Sequence, residues 1–418
     1  MIKIQKINNI VNFKQMKIIY FICLLLFCFS CTRSKTMFFA KSEPFMVDSV
    51  LHYPIQGNVI NVDLKKPQKT SIFDYFKHIE LIPLETNENS LISRIAKVIF
   101  HQNRYYILNG SRGVYVFDED GRFILKIVRI GRGPGEYTSL SDMFINPFTG
   151  NIDLLTPWGS IHSYDLQGNH VWSSNNVLLN SDITAVHHVL PISETTYVFY
   201  SWVNKSPFRI IYYDLNEMKI FHKEYERNLE IGSDNPFYQY IGQWYFYQPD
   251  KNMTYEVGAN SLIESYAWDF GNLNYDANKI NVSLDKYKNN TRLLTEEIYN
   301  RLPYRIYCQG QNNRYVMASV RVSSNLRANS DVTDWSNIIY DKSTQESKFI
   351  ESFSESVTFY PWIVTDEYVL SHGGHARFDE LERYITAEIL DEPNRKKFEA
   401  FMNTSEEPNP VIIKYYFK

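Results

Sequence analysis

Three stretches of this 418-residue chain carry residue types that could do chemistry. The first is Gly131-Arg-Gly-Pro-Gly-Glu-Tyr137. Its glycines allow positive φ and let a backbone approach a ligand closely. Successive backbone N–H groups there could hold an anion. Arg129 and Arg132 would add charge, and Glu136 and Tyr137 would complete a ligand-binding loop. The plainer alternative is a tight structural turn whose Arg and Glu pair with each other. The spacing is not that of a P-loop, which needs Gly-Lys-Ser/Thr and a following helix.

The second stretch is His372-Gly-Gly-His375, followed by Arg377 and Asp379. Two imidazoles around a Gly pair at a strand end could ligate a divalent metal. A metal site needs three or four ligands. His101, His162, His187 and His188 lie elsewhere and could converge on it. Otherwise these are polar loop histidines, and no cofactor is expected. The third feature is aromatic. Trp158, Trp202, Trp244, Trp335 and Trp362 sit near loop or strand ends. Indole faces stack on sugar rings, but they also pack sheets together. Trp158, in Pro157-Trp-Gly159, is the best placed for a ligand because it lies in a turn. Nucleophilic catalysis has little support. There is no Gly-x-Ser-x-Gly elbow, and Cys308 sits in a strand-like run that reads as a buried, inert thiol. Carboxylate pairs for glycoside hydrolysis are defined by separation in space and are not legible here.

These residues are carried by a repeat. Short apolar or alternating runs, separated by Gly, Asn, Asp and Pro, recur from Phe73 onward. Arg104–Leu108, Val114–Asp118 and Phe123–Val128 are matched by Asn151–Leu155, Ile161–Asp165 and His170–Ser173. Thr196–Trp202, Ile210–Asp214 and Lys219–Tyr225 follow the same order. The turn aspartates Asp118, Asp165 and Asp214 are 47 and 49 residues apart, close to the ~40–50 of a four-stranded propeller blade. An Asp at a turn start caps its own backbone, and Gly121 or Gly168 can take the positive φ. Five blades end near Ser352. The sixth begins near Ser356 and includes Tyr368–His372, and the closing run Pro410–Phe417 adds a strand. The run His78–Leu84 can supply the missing one, pairing both chain ends and removing free edges. Helical insertions are expected near 284–302 and 378–402.

Charge and the N-terminus bound the setting. Aromatics make up 16 % of the chain, which favours strands. The net charge of −4 argues against nucleic acid as a partner. The first 30 residues hold four Lys and no acid, and the apolar run Ile18–Ser30 is too short to span a bilayer. This pattern is an export signal, with Met16 as an alternative start. Cys31 follows Cys28-Phe-Ser30, which resembles a loose bacterial lipobox, and by that resemblance would carry lipid. The mature chain then has 39 basic against 47 acidic residues and one remaining thiol, Cys308. The expected organisation is a signal peptide at 1–30, a tether and surface segment at 31–70, and a propeller at 71–418.

Ile82-Pro-Leu-Glu-Thr86, Tyr115–Gly121, Gly131–Tyr137 and the closing Asn409-Pro410 resemble the six-bladed β-propeller lipoproteins of gut Gram-negative bacteria. The Gly131–Tyr137 piece is similar to NHL repeats, where a Gly-rich turn links blades. Blade four departs from the pattern, with Tyr255-Glu256 in place of Tyr/Phe-Asp. The resemblance implies an all-β fold and an envelope location, anchored through the N-terminal lipid and facing the periplasm or the outer-membrane surface. It implies no settled activity. The leading expectation is a non-catalytic binding or scaffold module for a glycan, a peptide or an envelope protein. The alternative is a metal-dependent propeller enzyme of lactonase or lyase type.

Overall fold

The computed structural model describes residues 58–418 apart from 179–180, 203–207, 227–231, 234, 249–250, 276–301, 324–334, 374–380, 382, 385–388 and 404–407. The chain divides into two compact units, Met1–Pro44 and Phe45–Lys418, and all the described residues belong to the second. Their 25 strands form six sheets, five of four strands and one of five. The sheets are antiparallel blades. The first strands of blades one to six are Ile95–His101, Asp142–Ile145, His188–Pro191, Phe237–Tyr240, Tyr304–Gln311 and Ile363–Val364. The first strands of blades one to three touch in turn, as do those of blades four to six, so they line the axis, and later strands step outward. The six-bladed β-propeller expected from the repeat is the observed fold.

Turn chemistry sets the blade pattern. Asp118 Oδ1 accepts the N–H groups of Asp120 and Arg122 at 3.0 and 2.8 Å. Asp165 does the same for Gln167 and Asn169, at 3.0 and 2.8 Å. Gly121 and Gly168 both take φ +85°. A Cβ on Gly121 would stand 2.2 Å from the carbonyl oxygen of Pro83, so this turn has two reasons to be glycine. In blades three and five the loop is one residue longer. Positive φ then falls on Met218 and Gln345.

Both chain ends build blade six. Its strands run Ile363–Val364, Tyr368–Gly373, Val411–Phe417 and Phe76–Pro83, and Ile79 faces Tyr415 while Leu81 faces Ile413. The closing strand predicted at His78–Leu84 is therefore in place. Asn409 locks it. This buried side chain accepts the Ile92 N–H at 2.8 Å and donates to the carbonyls of Glu85 and Ser90 at 2.6 and 2.8 Å.

The residues before blade six form a strap. Asn58–Asn61 adds a fifth strand to blade four, parallel to Leu262–Asp269. The Gln68 N–H then bonds the Phe349 carbonyl in blade five, and Thr70 bridges Phe353. Blade four keeps its four strands despite Tyr255-Glu256, with an irregularity between Thr254 and Tyr255. Of the helical stretch expected at 378–402, Glu392–Met402 is a helix capped by Asp391 that buries Phe398 against blade six, whereas Ile389–Asp391 is not helical because Asp391 takes the extended N-cap conformation. The insertion near 284–302 lies outside the described residues except for the buried Leu302.

Candidate ligand-binding site

A cavity of about 620 Å³ occupies the axis, lined by the first strands of five of the six blades. Each first strand enters at one face and turns back at the other. The cavity thus runs from the hairpin ends at Gln102, Gly150, Gln239 and Thr365 to Asn235 and Trp362. Its walls are aromatic: Phe100, Phe144, Phe237, Trp244, Trp362 and Tyr368. The half-buried Trp244 indole stands edge-on to Phe144, with ring centroids 5.2 Å apart. Trp362, also half-buried, stacks on His372 at 5.1 Å. Asn235 donates to the Trp362 carbonyl at 3.2 Å, joining the starts of blades four and six.

Charge is handled beneath the surface. Lys97 lines the cavity and donates to both oxygens of the fully buried Asp142, at 2.9 and 3.1 Å. Asp142 also accepts the Val189 N–H at 2.9 Å and faces His188 Nδ1 at 3.5 Å. These three side chains come from the first strands of blades one, two and three. Burial opposes the Asp142 charge, but Lys97 and His188 outweigh it and hold the carboxyl below its ordinary value. A second cation lies behind the wall. Lys414 places its ammonium 4.1 Å over the Phe100 ring and 5.0 Å over Tyr368. Burial lowers its pKa, against the pull of Glu80 and Glu119. Among the described residues it makes no ion pair. At the rim, the side chains of His101, Gln102 and Gln239 form no hydrogen bond among the described residues.

The residues picked from sequence occupy several places. Of Arg129, Arg132, Glu136, Tyr137, Trp158 and His372, the last alone lines the axial cavity. Gly131–Tyr137 joins the outer strand of blade one, Phe123–Ile127, to the first strand of blade two. The Glu136 carboxylate accepts the Gly133 N–H at 2.8 Å, and Gly131 N–H bonds the Tyr137 carbonyl at 3.0 Å. Tyr137 is buried and its hydroxyl donates to the Ile127 carbonyl at 3.0 Å. Trp158 is 58 % exposed in the turn between the second and third strands of blade two. His375, Arg377, Asp379 and Cys31 lie outside the described residues. Among the described residues no group of three or more His, Cys, Asp and Glu could hold a metal. His101 shares the cavity with His372. His162 bonds Ser173 at 2.8 Å, while His187 packs on Trp202 and is pushed down to about 3 by burial.

Cys308 is fully buried, and burial pushes its thiol up to about 12. A thiolate is the reactive form. Iodoacetamide is therefore expected to leave Cys308 unlabelled in the folded protein at mildly alkaline pH and to label it fully in denaturant. Peptide mass spectrometry reads both, and rapid native labelling would contradict the inert-thiol reading.

What sequence reasoning missed is one class of element. In blades one to three the three runs of each repeat are the second, third and fourth strands, and the first strands, two of which line the cavity, have no run assigned to them. Trp244 and Trp362 were on the list of aromatics, but nothing in their spacing set them above Trp158. A usable signal was the Ile241-Gly242 turn just before Trp244, a hairpin with positive φ at both residues that marks the axial end of a first strand.

Fold and cavity define the class, a six-bladed β-propeller with an aromatic axial chamber. The chain belongs to the family described as "Domain of unknown function (DUF4934)", matched over residues 57–416. Among solved structures it is similar to a protein of Bacteroides fragilis NCTC 9343 named as an exported one. That likeness has 17 % identity and a TM-score of 0.64, over 86 % of this chain and 100 % of the other. It shows a shared fold. A member of the DUF4221 family from Bacteroides vulgatus ATCC 8482 has 10 % identity and a TM-score of 0.48, over 82 % of this chain and 96 % of its own. No curated protein matches the sequence.

Proposed function

We propose that this protein is an exported, lipid-anchored, non-catalytic binding propeller that captures a small ligand in its axial cavity. The observation that carries this reading is the chamber itself. About 620 Å³ falls within the ~300–1,000 Å³ of ordinary ligand pockets. It combines aromatic walls with a few uncommitted polar side chains, the usual make-up of a binding site. The rigid ring holds those side chains in place. Export and anchoring rest on the signal pattern, on Cys31 and on the lipoprotein resemblance, and the fold shared with an exported protein agrees with them.

The test uses the protein purified from the cell envelope. Dansyl amide, a small neutral fluorophore, should bind the wild type at one site and gain fluorescence. Trp244→Ala and Trp362→Ala should each weaken it by about tenfold, equivalent to ~1.4 kcal/mol. In the same preparation Cys31→Ala should move the protein from the membrane to the soluble fraction. A probe indifferent to both tryptophans would overturn the axial site. Stoichiometric metal by elemental analysis, with lactone turnover lost in His372→Ala, would overturn the non-catalytic reading.

A further inference from the structure

We infer that the axial ligand is a short, uncharged oligosaccharide, an inference that rests on the axial site proposed above. Three observations narrow the chemistry. The first is charge. Among the described residues no Asp or Glu lines the cavity. A cationic ligand would find aromatic faces, which ordinarily attract cations. Here three of those rings, Phe100, Tyr368 and Phe144, already serve two internal ammonium groups. Lys414 sits over Phe100 and Tyr368, and Lys97 lies 5.3 Å from the Phe144 centroid. Lys414 is not paired with an acid among the described residues, so a second cation in the chamber meets like charge across one ring. An anionic ligand fares little better. Both Asp142 oxygens hold Lys97, and transferring its charge to a ligand would strand a buried carboxylate.

The second observation is the wall. Trp244 and Trp362 are half-buried, at opposite ends of one chamber, and each is braced by a neighbouring ring. Paired flat platforms suit the C–H faces of successive sugar rings. The third is the rim. Gln102 and Gln239 each carry an amide that donates and accepts, and His101 adds an imidazole that can do either. Sugar hydroxyls also donate and accept, so they match such groups without a fixed direction. A wholly apolar ligand would make no use of these groups.

The deciding experiment is calorimetric and fluorescence titration of the envelope-purified protein with defined trisaccharides. The neutral set is built from glucose, mannose, galactose, xylose and N-acetylglucosamine. Chitotriose supplies the cationic counterpart of the N-acetylglucosamine trimer, and trigalacturonate the anionic counterpart of the galactose trimer. At least one neutral member should bind, shift tryptophan emission to the blue, and bind equally at low and high salt. Trp244→Ala should weaken it by about tenfold or more. Gln239→Ala, on an exposed side chain, should weaken it a few-fold with an unchanged melting temperature. Tighter, salt-sensitive binding of chitotriose or trigalacturonate would overturn the uncharged class. If no trisaccharide binds while dansyl amide still reports on Trp244, the saccharide inference falls and the axial site stands. If dansyl amide is excluded as well, both fall.

Discussion

Asp142→Ala is expected to cost about 3–5 kcal/mol of stability, because it strands the Lys97 ammonium and the Val189 N–H in a buried junction of three blades. The pH dependence carries the sign. The Asp142 carboxyl is held below its ordinary value, so its contribution is present above the unfolded value of ~3.9. That contribution is lost as pH falls through the lower folded value. Asp142→Asn should remove this acid limb while keeping the shape. The neighbouring Asp153 should behave in the opposite sense. Burial raises its carboxyl, against the lowering by its polar neighbours. Its contribution is present below the ordinary carboxylate range and lost as pH rises through the raised value. Tyr197 and Asn146 both donate to Asp153 Oδ2, at 2.8 and 2.9 Å, and the buried Ser163 hydroxyl lies beside the same carboxyl. An asparagine can accept both donors on one oxygen and offer its amide to Ser163. Asp153→Asn is therefore expected to equal or exceed the wild type at neutral pH. Denaturant midpoints measured across acid to neutral pH check both. The account fails if Asp142→Ala is near neutral, or if Asp153→Asn is the more damaging of the two.

Asn409→Ala should open the ring at its seam. The change leaves the Ile92 N–H and two carbonyls without partners in a buried place. At about 1–3 kcal/mol for each stranded group, the expected loss is ~3 kcal/mol or more. For a domain of this size that lowers the melting temperature by roughly 4 °C or more. Asn409→Asp should be no better, since it turns an oxygen toward carbonyls that need a donor. The effect should also be local. Amide hydrogen exchange should rise along Phe76–Pro83 and Val411–Phe417 before it rises in blades two to four. Wild-type melting in Asn409→Asp, or uniform loss of protection, would contradict a seam held by this side chain.

The repeat was legible because its cues are local. Asp118 with Gly121, and Asp165 with Gly168, are turns written in adjacent residues. The outer three strands of each blade are apolar runs between them. The first strands lack such cues. Asp142–Ile145 is four residues long, wholly buried, and opens on an aspartate. Ile363–Val364 has two residues. His188–Pro191 carries a histidine and a proline. Along the chain, Lys97, Asp142 and His188 look like three unrelated surface polar residues, yet each is satisfied by another blade. The Gly131–Tyr137 loop is the converse case: its Gly and charge content fits a ligand loop or a tight structural turn, while the internal bonds of Glu136 and Tyr137 show only in three dimensions.

The sequence by itself determined the six-bladed ring, its period and its closure by both ends. Each of those follows from turn chemistry and strand patterning within a few residues, repeated. Only the tertiary structure decided what meets on the axis. Phe100, Trp244 and Trp362 belong to different blades, and they share a chamber because ring closure fixes which strand of each blade is innermost and which way it faces. That radial order is a property of the whole ring, so no local spacing encodes it.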